Sequence, residues 1–227
     1  MSDIEVVRHP RARSMRLSVD PASGRVRLTI PKRGSERAAL KWAAGQHDWI
    51  AARRAELPLP RPFVPGAVVP VFGESLRLVH DGAARRSVKR TATTLVCGGP
   101  ADAFGGRIEH WLRSEARRVL EAETLTLADS AGITVTSVSV GDPRSRWGSC
   151  SSSGAIRYSW RLILAPPFVL QSTVAHELAH RRHMNHGPDF HALERDLLGA
   201  DPANARQWLR AHGASLHWFG RSSAGAG

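Results

Sequence analysis

The chain has 227 residues, 42% hydrophobic and 23% charged, a composition ordinary for a globular protein that buries a sizeable core as one large domain or two small ones. Its net charge of +12 permits nonspecific contact with phosphate backbones or other anionic surfaces, but the basic residues are almost all Arg, with Lys only at 32, 41 and 89, a skew that coding bias produces as readily as phosphate recognition. No run of about 18 apolar residues marks a membrane span, the first ten residues carry charge and a proline where a secretory signal is apolar, and two unpatterned cysteines, Cys97 and Cys150, fit a reducing, cytoplasmic setting.

Alternating apolar and polar residues predict strands over Ile4 to Val7, Met15 to Val19 and Val26 to Ile30. Asp20-Pro21-Ala22-Ser23-Gly24 is turn chemistry that joins the last two as a hairpin, with its Arg residues on a solvated face. Ser35 caps a helix expected to run to about Glu56, with Trp42, Trp49 and Ile50 in the core. The proline-rich stretch Leu57 to Gly66 reads as an extended linker. Short strands are expected at Val68 to Phe72, Ser75 to His80, Ser87 to Arg90 and Thr94 to Cys97.

Ala101 to about Ala131 reads as a long amphipathic helix, its apolar residues recurring at three and four, and Gly132 closes it. The β-branched run Ile133 to Val140 predicts a strand. Pro166-Pro167 opens the next helix, whose stripe Leu170, Val174 and Leu178 is turned into the core. Helices are then expected at Pro188 to Leu198, with Phe190, Leu193 and Leu197 inward, and at Ala203 to Ala211. A tail over residues 217–227, low in complexity from Arg221 on, is expected to be disordered. No internal repeat is evident.

The helix opened by Pro167 carries His176-Glu177-Leu178-Ala179-His180. Histidines four apart project from one helix face about one turn apart, so two nitrogen donors are set for one zinc. Glu177 is rotated by about 100° from the first of them and can take a proton from a metal-bound water as general base. With 11 His in the chain, composition alone gives such a match in roughly 2 of 100 sequences, so a fortuitous match and a structural zinc are the bland alternatives. A catalytic zinc needs a third donor. His183 continues the same stripe roughly 10 Å along the axis and is set aside. His186, at the Asn185 and Gly187-Pro188 break that can swing it back over the metal, is best placed, with Glu194 and His191 as alternatives.

Taken with Ser145-Arg146-Trp147-Gly148-Ser149-Cys150, Leu162-Ile163-Leu164-Ala165-Pro166 and Asn185-His186 followed by Phe190, the chain resembles the YgjP-like metallopeptidase family, relatives of the SprT-like and WLM zinc proteases. The likeness covers the N-terminal strands and most of the chain to about His212. It implies zinc on His176, His180 and His186 with Glu177 catalytic, in an α+β fold. In that fold a β-rich region with one helix (1–100) precedes a zincin-like core (101–216) built on the His-Glu-x-x-His helix. Relatives often carry an aromatic where this chain has His191. The third-histidine spacing equals that of metzincins, but His183 stands at their glycine and no methionine follows Met184 to make their Met-turn.

The reaction so implied is hydrolysis of peptide bonds by a zinc-activated water, with substrate expected along the edge of the strand Ile156 to Trp160. Tyr158 and His183 are candidates for oxyanion stabilisation. Arg146 either pairs with a carboxylate or braces its loop, and Cys150 reads as buried. The likeness to SprT-like and WLM enzymes allows substrates that are DNA-associated or DNA-crosslinked proteins. A basic nucleic-acid-binding module with a structural zinc is the alternative from another class, and the absence of a cysteine-rich finger or an aromatic-basic RNA signature argues against it.

Overall fold

A computed structural model describes residues 4–222 of the chain, which is mixed α+β with N-terminal strands and six α-helices among the described residues. It divides into two compact units, one up to Pro60 and one spanning Arg61–Arg221.

In the first unit, β1 (Ile4–His9), β2 (Arg16–Val19) and β3 (Val26–Pro31) form a sheet in the order β1-β3-β2. The expected hairpin is present, with β2 antiparallel to β3, and β1 runs parallel to β3. Asp20 builds its turn by accepting from Ala22 N at 2.9 Å and Ser23 Oγ at 2.6 Å, and Gly24 supplies the positive φ of 72° that a side chain resists. Alternation along β3 sends Leu28 and Ile30 inward against Ala39 and Ala43 and leaves Arg27 outside.

Two helices stand where one was expected. Ser35 caps α1 (Glu36–Ala44), Gly45 ends it, and α2 (His47–Ala55) follows. The small apolar face of α1 is satisfied by two alanines, so Trp42 and Trp49 are not core; they remain 39% and 37% exposed.

The second unit holds a sheet of β4 (Val68–Val71), β5 (Glu74–Asp81), β6 (Val88–Arg90) and β7 (Thr94–Gly98) in the order β4-β5-β7-β6. These strands share one core with the helices that follow, Leu76, Leu78 and Leu95 packing in the same cluster as Ile108, Leu112 and Leu120. The division at Pro60 therefore precedes this sheet, whereas the sequence reading grouped it with the N-terminal region up to residue 100. The spine is α3 (Phe104–Ser130), 27 residues long, burying Phe104, Ile108, Leu112, Ala116, Leu120, Thr124 and Ala128 along one face.

A second sheet follows, of β8 (Ser137–Gly141), β9 (Gly148–Cys150) and β10 (Ala155–Ser159) in the order β8-β10-β9. The strand predicted from Ile133 starts only at Ser137, because residues 133–136 lead in from α3, Ile133 N bonding back to Ala128 O. After β10 a short 3-10 turn, Trp160–Leu164, enters α4 (Pro167–Ala179). Helix α4 buries Leu170, Val174 and Leu178 as predicted. Helix α5 (Pro188–Leu198) matches its expected bounds, and α6 (Ala203–Leu216) runs five residues beyond the predicted Ala211.

The chain after α6 is not a loose tail at its start. His217, Trp218 and Phe219 are 5%, 5% and 4% exposed, held because the buried Arg161 donates to Leu216 O at 2.8 Å and to Phe219 O at 3.2 Å. Residues 223–227 of the expected tail lie outside the described residues. No helix among the described residues is long and apolar enough to cross a membrane.

Candidate metal centre

Helix α4 is buried along most of its length, as a helix running through a core must be, with Phe168 and Gln171 exposed near its start, and it reaches the surface again at its C-terminal turn. His176 lies in that turn and His180 is its C-cap. Backbone bonds from Arg182 N and His183 N to Ala179 O then fold the chain over. His183 is therefore in a turn and not further along the helix, which is a firmer reason than axial distance for its ring to lie apart from the other two. The fold-back brings His186 over α4. Among the described residues His176, His180 and His186 form a group whose donor atoms all lie within 4.8 Å of one another, and His176 Nε2 and His186 Nε2 are 3.3 Å apart. Two ring nitrogens that close and aimed together are an arrangement that a shared cation satisfies.

The rings are fixed from behind. His176 Nδ1 donates to Glu194 Oε1 at 2.9 Å and His180 Nδ1 donates to His183 O at 3.1 Å, an assignment following from the partners, which leaves both Nε2 atoms bare. His183 thus contributes its carbonyl. Phe190 is fully buried, and its ring centroid stands 5.0, 4.7 and 4.7 Å from those of His176, His180 and His186, an apolar floor for all three.

Glu194 lies one turn after Phe190 on α5 and is 1% exposed. It is not turned to the cluster as a donor, because both oxygens are spent. Oε1 accepts from His176, Oε2 from His191 Nδ1 at 3.3 Å, and Arg206 Nη1 reaches both at 3.3 and 3.1 Å. His191, the other alternative third ligand, also bonds Glu194 through Nδ1 and lies outside the three-histidine group. Burial opposes the Glu194 charge, but hydrogen bonds from His176 and His191, with the charges of His176 and Arg206, hold its carboxyl down at about 2. Arg206 gave no sign in the sequence, since its role depends on α6 packing beside α5.

Glu177 is 4% exposed, and its carboxylate makes no hydrogen bond or ion pair among the described residues. Burial raises its pKa to about 7, with His176 and Arg146 opposing the shift. Its near neighbour is the backbone of β9. A Cβ built on Gly148 would lie 2.4 Å from Glu177 Oε1, so the strand comes this close only because residue 148 has no side chain. Arg181 ties the end of α4 to the lead-in of β8 and to the turn between β9 and β10, donating to Thr134 O at 3.0 Å and to Ser152 O at 3.1 Å. Arg182 reaches Ala131 O and Gly132 O, both at 3.3 Å, at the end of α3. Sequence reasoning missed Gly148 and both arginines.

Tyr158 is withdrawn from the chemistry. It is fully buried, its hydroxyl pairs with Thr124 Oγ1 at 3.1 Å, and burial drives its pKa upward. Strand β10 is withdrawn too as a substrate edge, since β8 and β9 occupy its two sides. The edge left unpaired next to Glu177 is that of β9, which pairs with β10 alone among the described strands. Cys150 is half-buried, its thiol pKa raised first by burial. That suits neither a nucleophile nor a ligand.

Fold and cluster together define an α+β protein with a three-histidine centre beside a buried carboxylate. The family model described as YgjP-like, metallopeptidase domain, matches residues 13–212. The chain belongs to the YgjP-like metallopeptidase domain family, as its motifs suggested. No curated protein and no solved structure gives a significant match. Membership supports a hydrolase that uses a metal, usually zinc, and takes peptide substrates.

Proposed function

We propose that the protein is a zinc-dependent metallopeptidase in which His176, His180 and His186 hold the metal and Glu177 is the general base. The observation carrying this reading is the convergence of three imidazole donors within 4.8 Å beside a buried carboxylate that makes no hydrogen bond or ion pair among the described residues. The donor set fits zinc, for which imidazole is a common ligand and three protein donors the usual catalytic number. Two of the rings have their far nitrogens anchored, as metal-binding histidines almost always do. The catalytic unit would then be the body of residues 61–221, a zincin-like core that includes the four-stranded sheet.

Held by these three histidines, a zinc would supply a water whose pKa is lowered to about 7 and would polarise the scissile carbonyl. Glu177 takes the proton of the attacking water and delivers it to the leaving amine. The base holds its position because Gly148 and the buried wall of α4 leave it little room to swing. A peptide laid extended along the open edge of β9 gains main-chain hydrogen bonds and passes Glu177, because β9 itself does. His183 remains a candidate for oxyanion contact from the turn above His180.

The test is digestion of casein or a peptide by zinc-loaded protein, parent beside Glu177→Gln, with and without DNA. We expect cleavage by the parent and a loss of roughly 10² or more in the variant at unchanged zinc content. Equal cleavage by the two refutes the base. A rate that depends on DNA moves the substrate to DNA-associated proteins, and a zinc-loaded parent that cleaves nothing favours a structural metal.

A further inference from the structure

Strand β9 presents two faces with different surroundings. Its ladder with β10 extends to Trp147, whose carbonyl accepts from Ser159 N at 2.8 Å, so alternation applies from Trp147 onward. The Trp147 ring packs toward α6, 5.5 Å from the His217 ring and against the Gly213 position. Gly148 points the other way, at Glu177. Cys150 shares that side and is electrostatically coupled to Glu177. The same two-residue step brings Arg146 to the Glu177 side at the end of the ladder, where it too couples to Glu177.

Arg146 is exposed, and among the described residues its guanidinium makes no hydrogen bond or ion pair. That sets it apart from the other arginines of the site. Arg181 and Arg182 are bound to main-chain carbonyls, and Arg206 is bound to Glu194. The acids nearby are not available to it, since Glu194 is shared among three partners and no ion pair joins Arg146 to Glu177.

We propose that Arg146 is a specificity residue that holds a carboxylate of the peptide substrate, so that the preferred substrates carry an acidic group close to the scissile bond. This rests on the peptidase reading above and names its substrate class. A peptide paired on the free edge of β9 runs alongside Arg146, and a planar guanidinium with five donors takes a carboxylate in two parallel hydrogen bonds. The carboxylate comes from an Asp or Glu side chain or from the peptide's own C-terminus.

Binding separates this from catalysis. Zinc-loaded Glu177→Gln protein is titrated by fluorescence anisotropy with end-labelled peptides of one sequence in three forms. One has a Glu scanned through the central positions and an amidated C-terminus, one has Gln at those positions with an amide, and one has Gln with a free C-terminal acid. Tighter binding of an acidic form than of the Gln amide, by about tenfold for a two-bond charged contact, is expected. That preference should fall to within twofold in the Arg146→Ala, Glu177→Gln double variant and recover in part in the Arg146→Lys, Glu177→Gln one. The preferred acidic form identifies the source of the carboxylate. Because any effect of Arg146 on the site as a whole acts on all three peptides alike, the ratio reports recognition alone. Equal binding of all three forms, or a preference that survives Arg146→Ala, overturns the proposal. A preserved preference in a protein whose Glu177 parent cleaves nothing instead sinks the peptidase reading and leaves Arg146 as a carboxylate-binding residue.

Discussion

Replacing Glu194 by Gln keeps the shape of a side chain only 1% exposed and changes its hydrogen-bonding logic. The carboxylate receives donors on both oxygens, His176 at 2.9 Å on one, His191 at 3.3 Å on the other and Arg206 across both. An amide offers one acceptor and one NH2, so whichever way it turns, a donor faces a donor. If the amide oxygen faces His176, the ring keeps its orientation but loses the nearby negative charge that makes its free nitrogen a better ligand. Loss of such a partner behind a metal-binding histidine costs 10–100-fold in metal affinity, about 1.4–2.7 kcal/mol. Glu194→Gln should fall near the tenfold end and Glu194→Ala near the hundredfold end. Competition with a chromogenic zinc chelator measures both, with circular dichroism of the metal-free proteins to show that the fold is retained. Arg206→Gln, which changes a half-exposed side chain, should weaken zinc by a few-fold without any change at the cluster itself. Zinc affinities within twofold of the parent in both folded Glu194 variants would refute the idea that α5 and α6 tune the centre.

Three further outcomes follow from the same packing. In Gly148→Ala the new Cβ would stand 2.4 Å from Glu177 Oε1 and 2.6 Å from its Cγ, so kcat should fall by about tenfold or more at unchanged zinc content; an unchanged kcat would mean that the strand yields freely. Tyr158→Phe removes only the contact with Thr124, which still donates to Leu120 O, so kcat should stay within twofold while stability drops by about 1 kcal/mol; a large loss of kcat would return Tyr158 to the chemistry. At Asp142, burial opposes the charge but Arg161, with Arg113 and His217, prevails and holds the carboxyl below its ordinary 3.8. A depressed folded-state pKa stabilises in full above the unfolded value and loses that contribution as pH falls through the folded one. Asp142→Asn should therefore cost about 2 kcal/mol at neutral pH and progressively less below pH 3.8, as read from urea unfolding at several pH values. A difference that does not vary with pH would refute the assignment.

Where the sequence was legible, a local rule was enough. The His176 and His180 spacing, the Asn185-His186-Gly187-Pro188 break, and the bounds of α3 and α5 all depend on helical period and caps within one segment. Where it was not, the deciding contact came from elsewhere in the chain. A single helix from Ser35 to Glu56 satisfied the periodicity, yet the unit's core has room for only Ala39 and Ala43, so Gly45 could end the helix and leave Trp42 and Trp49 outside. Strand β10 looked like an edge because the sequence does not state that β8 returns parallel to it. Trp218 and Phe219 looked like a tail because the guanidinium that holds their segment, that of Arg161, is more than fifty residues earlier.

Helix α5 shows why the centre itself was only half readable. Apolar periodicity selected Phe190, Leu193 and Leu197 as its inward face, and on that rule Glu194 belonged to solvent or, as an acid near histidines, on the metal. The face that is most deeply buried is Phe190 with Glu194, four residues apart. A carboxylate can occupy such a position only when its charge is met, and here it is met by two imidazoles and an arginine from three different helices or turns. Hydropathy therefore fails at Glu194 because the interior behind the cluster is polar and satisfied. The same logic favours Glu177 over Glu194 as the proposed base. Glu194 has every lone-pair direction engaged, whereas Glu177, one turn from His180 and nearly as buried, has none, and an acid left unengaged beside three imidazoles is the one with a proton to move.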